Sequence, residues 1–385
     1  MDVTTPTAPP EYDEFRSRLR AFIAEHAPKP PERRKSGMRT AETTEELDEV
    51  KTWLARLTEA GFGPRALVDD EDPWPRRIAI EELEAAHVAY VVGNPLIDSA
   101  IVQWGTAEQK ERFLPGLRSG QDVWCQLYSE PGAGSDLAGL QTRAELDGDV
   151  YRINGQKVWT TWGQWADYGY LLARTDTNEK HGGITAFIIE MDQPGVQVRP
   201  LREVTGTSDF NEVFFTDAII PVADRLGAEG EGWRISTYSL VSERSRQRGD
   251  YDEMLTDQLL DLVDVVGADA AEADELVRLY ERAHILNLME LRVQSKEEHG
   301  QTGAADPAVL KMTFSQLNLE VAEAALRWLD SRSMLVDGDP RAVERGRWQD
   351  MFLYARGYTI SAGSNEIMRN VIAERGLGMP RERVG

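Results

Sequence analysis

The chain has 385 residues, 41% of them hydrophobic, enough for two or three domains with sizeable cores, so intrinsic disorder is not its default state. Its 43 Lys and Arg stand against 66 Asp and Glu, a formal balance of −23 that argues against nucleic acid or an anionic membrane as the main partner. The single cysteine, Cys125, excludes an intrachain disulfide framework and fits a reducing compartment; with no His partner marked in the sequence, it reads as a buried packing residue.

The opening Met1 to Pro10 lacks a basic stretch followed by an apolar core, and no run reaches the ~18 apolar residues needed to cross a bilayer, so a cytoplasmic protein is expected. Tyr12, Phe15, Leu19, Phe22 and Ile23 recur at helical spacing. The Pro- and Lys/Arg-rich stretch from Pro28 to Arg39 reads as an exposed linker. A second helix follows, with Thr44 or its neighbour as cap and Leu47, Val50, Trp53, Leu54 and Leu57 as its apolar stripe. Helical patterns then run from Pro75 to Val88, Ile97 to Trp104 and Ala107 to Leu117, which makes the first 122 residues an all-α domain.

Near Val123 the hydrophobic period drops to two. Strands are expected at 124–128, 142–146, 150–153, 168–174, 184–191, 196–201 and 213–215. Asp147-Gly148 and Asn154-Gly155 are hairpin signals, because type I′ turns need positive φ at both central positions. This spacing implies a β-barrel or sandwich over residues 123–225. From Gly232 the chain returns to long helices, at 233–248, 251–266, 272–299, 307–330 and 347–375, which fit an up-and-down four-helix bundle over 226–385. The fold class is thus α+β. The acidic stretch from Asp252 to Glu275 lacks calcium-loop spacing and reads as a solvated face, and no metal site is expected.

Two stretches carry the chemistry. Gln126-Leu-Tyr-Ser-Glu-Pro-Gly-Ala-Gly-Ser-Asp136 has Gly132 and Gly134 to let the backbone approach a ligand with φ > 0, and Ser129 and Ser135 as donors, although these residues by themselves also fit a plain turn. Tyr151-Arg-Ile-Asn-Gly-Gln-Lys-Val-Trp-Thr-Thr161 adds an indole beside two threonines. Together they resemble the acyl-CoA dehydrogenase family. The resemblance implies FAD as cofactor, with Leu127, Ser129, Gly134, Ser135 and Thr161 around it and Trp159 flanking the ring; Ser135 would also lie near a thioester substrate. Gly363, Ser364 and Glu366, in Gly363-Ser-Asn-Glu366, resemble the family's element at the flavin's phosphate or ribityl region.

In many members of the family a glutamate near the C-terminus abstracts the α proton. The matching stretch here is Ile360-Ser-Ala-Gly-Ser-Asn-Glu-Ile-Met-Arg369, and Ala362 stands at the glutamate's position. Other members carry the base on the first helix of the C-terminal bundle, where this chain has Glu243-Arg244. Glu243 shares a helical face with Ser236 and Leu240, and an apolar neighbour tends to raise a carboxyl towards neutrality. The resemblance therefore implies α,β-dehydrogenation of an acyl-CoA thioester with Glu243 and Arg244 as the catalytic pair. An electron-transfer flavoprotein would be the acceptor and the chain would be oligomeric. The Arg-x-x-Phe-Gly element is missing around Glu281 to Leu291, as is the Gly-Gly-x-Gly turn, so recognition of the FAD adenosine half is not accounted for; the resemblance to some bacterial members offers the stretch from Ala304 to Ala308 as a candidate in their place. Two other readings stay open: a catalytically silent subunit paired with an active paralogue, and an oxygen-using or acyl-carrier-protein enzyme on the same fold.

Overall fold

The computed structural model describes residues 8–29, 41, 43–67, 72–90, 96–246, 251–267, 273–299, 301–303 and 305–381, without the side chains of 241–246, 251–254, 294, 297 and 298. Most of the linker expected from Pro28 to Arg39 lies outside these residues. Packing divides the chain into two compact units, one of residues 6–31 and 39–240, the other chiefly of 241–385.

The first unit opens with helices α1 (Asp13–His26), α2 (Thr44–Glu59), α3 (Trp74–Ala85), α4 (Leu96–Trp104) and α5 (Ala107–Ser119). All five residues of the expected α2 stripe are buried, and the cap is Thr43, whose hydroxyl accepts the Glu46 N–H at 3.2 Å. The helical pattern expected to reach Val88 stops at Ala85, because His87 turns to φ 54°. α5 starts with a reciprocal Thr106–Gln109 capping box. The Gln109 amide also donates to the carbonyls of Ala223 and Arg225 at 2.7 and 2.9 Å, which fastens the helix to the end of the sheet.

The sheet contains β1 (Trp124–Leu127), β2 (Arg143–Asp147), β3 (Val150–Thr161), β4 (Tyr168–Arg174), β5 (Ile184–Glu190), β6 (Val196–Pro200), β7 (Phe210–Pro221) and β8 (Arg225–Leu226). The order is β6-β7-β3-β2-β4-β5-β8, with β1 parallel to β4. Strand alternation separates two cores. Tyr170 and Leu172 of β4, with Ile184, Ala186 and Ile188 of β5, pack with α4, α5 and the start of α6 (Gly232–Arg246). Leu171, Ala173, Phe187 and Ile189 point the other way, into a core whose buried residues come from the strands and the residue that follows β5, Met191. The sheet therefore closes over itself, as the barrel or sandwich reading requires.

Of the two hairpin signals, Asp147-Gly148 turns the chain from β2 to β3, with Asp147 paired to Val150 and Gly148 at φ 67°. Asn154-Gly155 does not turn the chain. β3 runs through it with a register shift against β7, and Gly155 is needed because a side chain there would meet Thr142 at 2.5 Å. Accordingly β3 and β7 each extend to twelve residues, longer than the short strands that local patterning implies.

The second unit packs α7 (Tyr251–Val266), α8 (Ala273–Glu298), α9 (Asp306–Leu329) and α10 (Arg347–Ile360) around one apolar core containing Leu259, Leu286, Phe314, Val321 and Trp348. The helix expected over 347–375 is broken. α10 ends before Ser361, Ala362 and Gly363 take φ 52° and 94°, and Ser364 caps α11 (Asn365–Val371). Two consecutive left-handed residues cannot continue a right-handed helix.

Candidate functional site

Glu130 and Lys157 organise the loop after β1. Lys157 is fully buried; its ammonium donates to the Glu130 carboxylate at 2.8 Å and the Tyr128 carbonyl at 3.0 Å. The same carboxylate accepts the backbone N–H groups of Gln141 and Thr142 at 2.6 and 2.9 Å. Two charges can stay buried here because each is paired and hydrogen-bonded. Burial pushes the Lys157 ammonium down to about 8 against the pull of Glu130. Burial also acts to raise the Glu130 carboxyl, but the Lys157 charge and the hydrogen bonds outweigh it and hold the group below its ordinary value.

Glu130 and Ala133 exchange two backbone hydrogen bonds, so the loop folds tightly around Pro131-Gly132. Its far side is held by Arg174, whose guanidinium donates to the carbonyls of Ala138 and Leu140 at 2.7 and 3.0 Å. Neither Gly132 nor Gly134 is among the residues with positive φ, so the conformational reason expected for them is wrong. A methyl group at either position would meet no protein atom within 4 Å.

The Ser129 carbonyl accepts the Val158 N–H at 2.9 Å, which brings the loop against the end of β3. There Trp159 takes φ 61° and stands 61% exposed, with its ring edge-on to Phe210 at 5.9 Å. Next to it Thr160 is fully buried, and its hydroxyl has no hydrogen-bond partner. Thr161 is half-buried and pairs with Phe210 across the strands.

Of the residues expected here, Ser129, Trp159 and Thr161 are thus brought to one end of the sheet, with Gly134 and Ser135 exposed on the loop. The Leu127 side chain is buried in the strand core and is not available to a ligand. Glu130, Lys157 and Arg174 were not singled out by sequence reasoning, and Thr160 entered it only as one of the two threonines beside the indole. A signal did exist for Lys157, which shares the inward parity of Tyr151 and Ile153.

The other expected residues lie in the helical unit. Lys311 of α9, buried, donates to the Gly363 carbonyl at 2.7 Å and to the Asn365 side-chain oxygen at 3.1 Å, and that oxygen also accepts the Ser315 hydroxyl at 3.0 Å. This fixes the break that carries Ala362, Gly363 and Ser364. Ser364 is occupied as a cap, accepting the Ile367 N–H at 3.4 Å. Glu366 is exposed, lies 3.7 Å from Arg369, and is held below the ordinary carboxylate range by backbone and Ser364 hydrogen bonding. The Glu243 and Arg244 side chains lie outside the described residues, although α6 runs through both positions.

Comparison with known proteins places most of the chain in one family. The acyl-CoA dehydrogenase N-terminal, middle and C-terminal domain families match residues 9–121, 125–218 and 264–377. The chain is 35% identical to acyl-CoA dehydrogenase IpdE1 of Mycobacterium tuberculosis, over 97% of its own length and 100% of that protein's. It belongs to the acyl-CoA dehydrogenase family. Among solved structures it is similar to the Tcur3481-Tcur3483 steroid ACAD, with 27% identity, TM-score 0.81 and coverage of 99% of this chain and 100% of that one. It is likewise similar to the ChsE4-ChsE5 complex of Mycobacterium tuberculosis, with 26% identity, TM-score 0.77 and 98% and 100% covered.

This acyl-CoA dehydrogenase is an oxidoreductase, and FAD is its cofactor. Its own residues fit one: an unpartnered buried hydroxyl at Thr160, a solvent-facing indole at Trp159 and open space above Gly132 and Gly134. Among the described residues, no helix is long and apolar enough to cross a membrane.

Proposed function

We propose that this chain catalyses α,β-dehydrogenation of a bulky, steroid-like acyl-CoA thioester, with the Glu243 carboxylate as the base that takes the α proton. The observation that carries this reading is Ala362. The backbone break in which many relatives hold their glutamate is fully built here, with Ala362 at φ 52° and Lys311 pinning Gly363, yet its side chain is a methyl group that cannot accept a proton. Glu243 on α6 is the carboxylate that replaces it, with Arg244 beside it as counter-charge. Bound FAD supplies the acceptor for the β hydrogen, which leaves as hydride. The chain's part is to take the proton, to exclude water and to hold the ring, with Ser129 and Thr161 as hydrogen-bond partners, Trp159 against one face, and Gly363, Ser364 and Glu366 at the phosphate or ribityl end. Support for the substrate class is the likeness to a steroid ACAD; an electron-transfer flavoprotein is the proposed acceptor and the cytoplasm the proposed compartment.

The likeness to two-component complexes, together with Ala362 and the missing adenosine motifs, favours a second reading in which the chain works only beside a paralogue. One titration separates them. The purified chain, alone and co-purified with a paralogue, is titrated with a panel of acyl-CoAs while the flavin absorbance is followed. The proposal expects bleaching by steroid-like acyl-CoA and loss of rate of about 10²- to 10⁴-fold in Glu243→Gln. Unchanged rates in Glu243→Gln overturn its role, and bleaching only with the paralogue present moves the activity to the pair.

A further inference from the structure

The bulge at Trp159 is flanked on both sides by hydrogen-bonded buried polar groups. From Lys157 to Thr160, β3 advances three residues while its partner β7 advances two, from Val213 to Asn211, so one residue is extra. Before the bulge, the buried Lys157 ammonium ties β3 to the Tyr128 carbonyl and Glu130. After it, the fully buried Asn211 amide donates to the Thr160 carbonyl at 2.9 Å and to the Gln164 side chain. Between these anchors Trp159 takes a left-handed φ of 61°, unfavourable for a residue with a Cβ, and its indole is exposed.

We infer that Lys157 and Asn211 are positioning residues for the cofactor, acting through the Trp159 bulge. The inference rests on the proposed place of Trp159 against FAD. A strand without the clamp would restore regular alternation, swing the indole away and leave the ring without its flanking aromatic.

The test compares holoenzymes of Lys157→Met, Asn211→Ser, Trp159→Leu and Ile220→Ala. Ile220 lies in the strand core of the same sheet, and its truncation serves as a stability control. The readouts are the visible circular dichroism of bound FAD and the rate of FAD release, each set against the melting temperature. Lys157→Met and Asn211→Ser are expected to change the flavin dichroism as Trp159→Leu does and to speed FAD release about tenfold or more, and Ile220→Ala is expected to do neither. A wild-type flavin signal in both clamp variants, with a changed one in Trp159→Leu, overturns the inference and leaves the Trp159 reading standing. A wild-type signal in Trp159→Leu overturns both. Should Lys157→Met not fold, Asn211→Ser on the other side of the bulge decides alone.

Discussion

A buried ion pair is valuable to its surroundings only while both members are present. Replacing Lys157 by Met would leave the Glu130 carboxylate inside the protein with two backbone donors and no counter-charge. The expected loss is about 3–5 kcal/mol, read from urea unfolding of the full chain, with part recovered in the Lys157→Met/Glu130→Gln double variant. The pH dependence has a definite sign. Because the folded-state Glu130 carboxyl lies below its ordinary 4.5, its contribution is complete above that value and is lost as pH falls through the folded-state value. Stability measured across pH should therefore fall less steeply below about 4.5 in Glu130→Gln than in the wild type. Ala362 offers the converse case. Its φ of 52° suits glycine better, so Ala362→Gly is expected to raise stability by about 1 kcal/mol. Among these residues only Ala362 was legible beforehand, because a motif pointed to it. Lys157 and Glu130 are adjacent to motif residues, but their pairing links positions 27 apart in sequence, and no local pattern reports such a contact.

Elements were legible where local periodicity and burial agree. The α2 stripe and the β2–β3 hairpin follow from spacing and turn chemistry alone. Elements were misread where tertiary pairing overrode a local signal. At Asn154-Gly155, β3 continues to pair with β7, which carries the extra residue between Ala218 and Phe215, so a hairpin sequence lies inside a strand. At 361–364, an apolar-periodic run hides a break held by a buried lysine from another helix. Lys311→Met should release that break at a cost of roughly 1.5–3 kcal/mol, the value of hydrogen bonds to a charged donor. Hydrogen exchange would show it as faster exchange in α11, with α7 and α8 unaffected if the effect is local.

At the scale of the whole molecule, Cys125 is a reporter. The thiol is completely buried in the strand core, and burial pushes it well above its ordinary value, so the native protein should not react with a thiol reagent. Its labelling rate should match global unfolding of the first unit, and labelling at the rate of an exposed thiol in native buffer would contradict this packing. α8 adds a second large-scale feature. Its buried face lies against the bundle, yet Val277, Tyr280, Ile285 and Leu288 expose apolar surface on the other side.

By itself the sequence determined the order of helical and strand regions, the family, the cofactor class and the absence of a carboxylate at position 362. Periodicity, turn residues and short motifs are all local, and these properties are written locally. Only the tertiary structure decided that Gly132 and Gly134 need no positive φ, that Asn154-Gly155 lies inside a strand, and that Glu130, Lys157, Asn211 and Lys311 hold the backbone of the candidate site. The physical reason is that a buried charge or amide is specified by whichever distant group satisfies it, and that group is known only once the chain has folded.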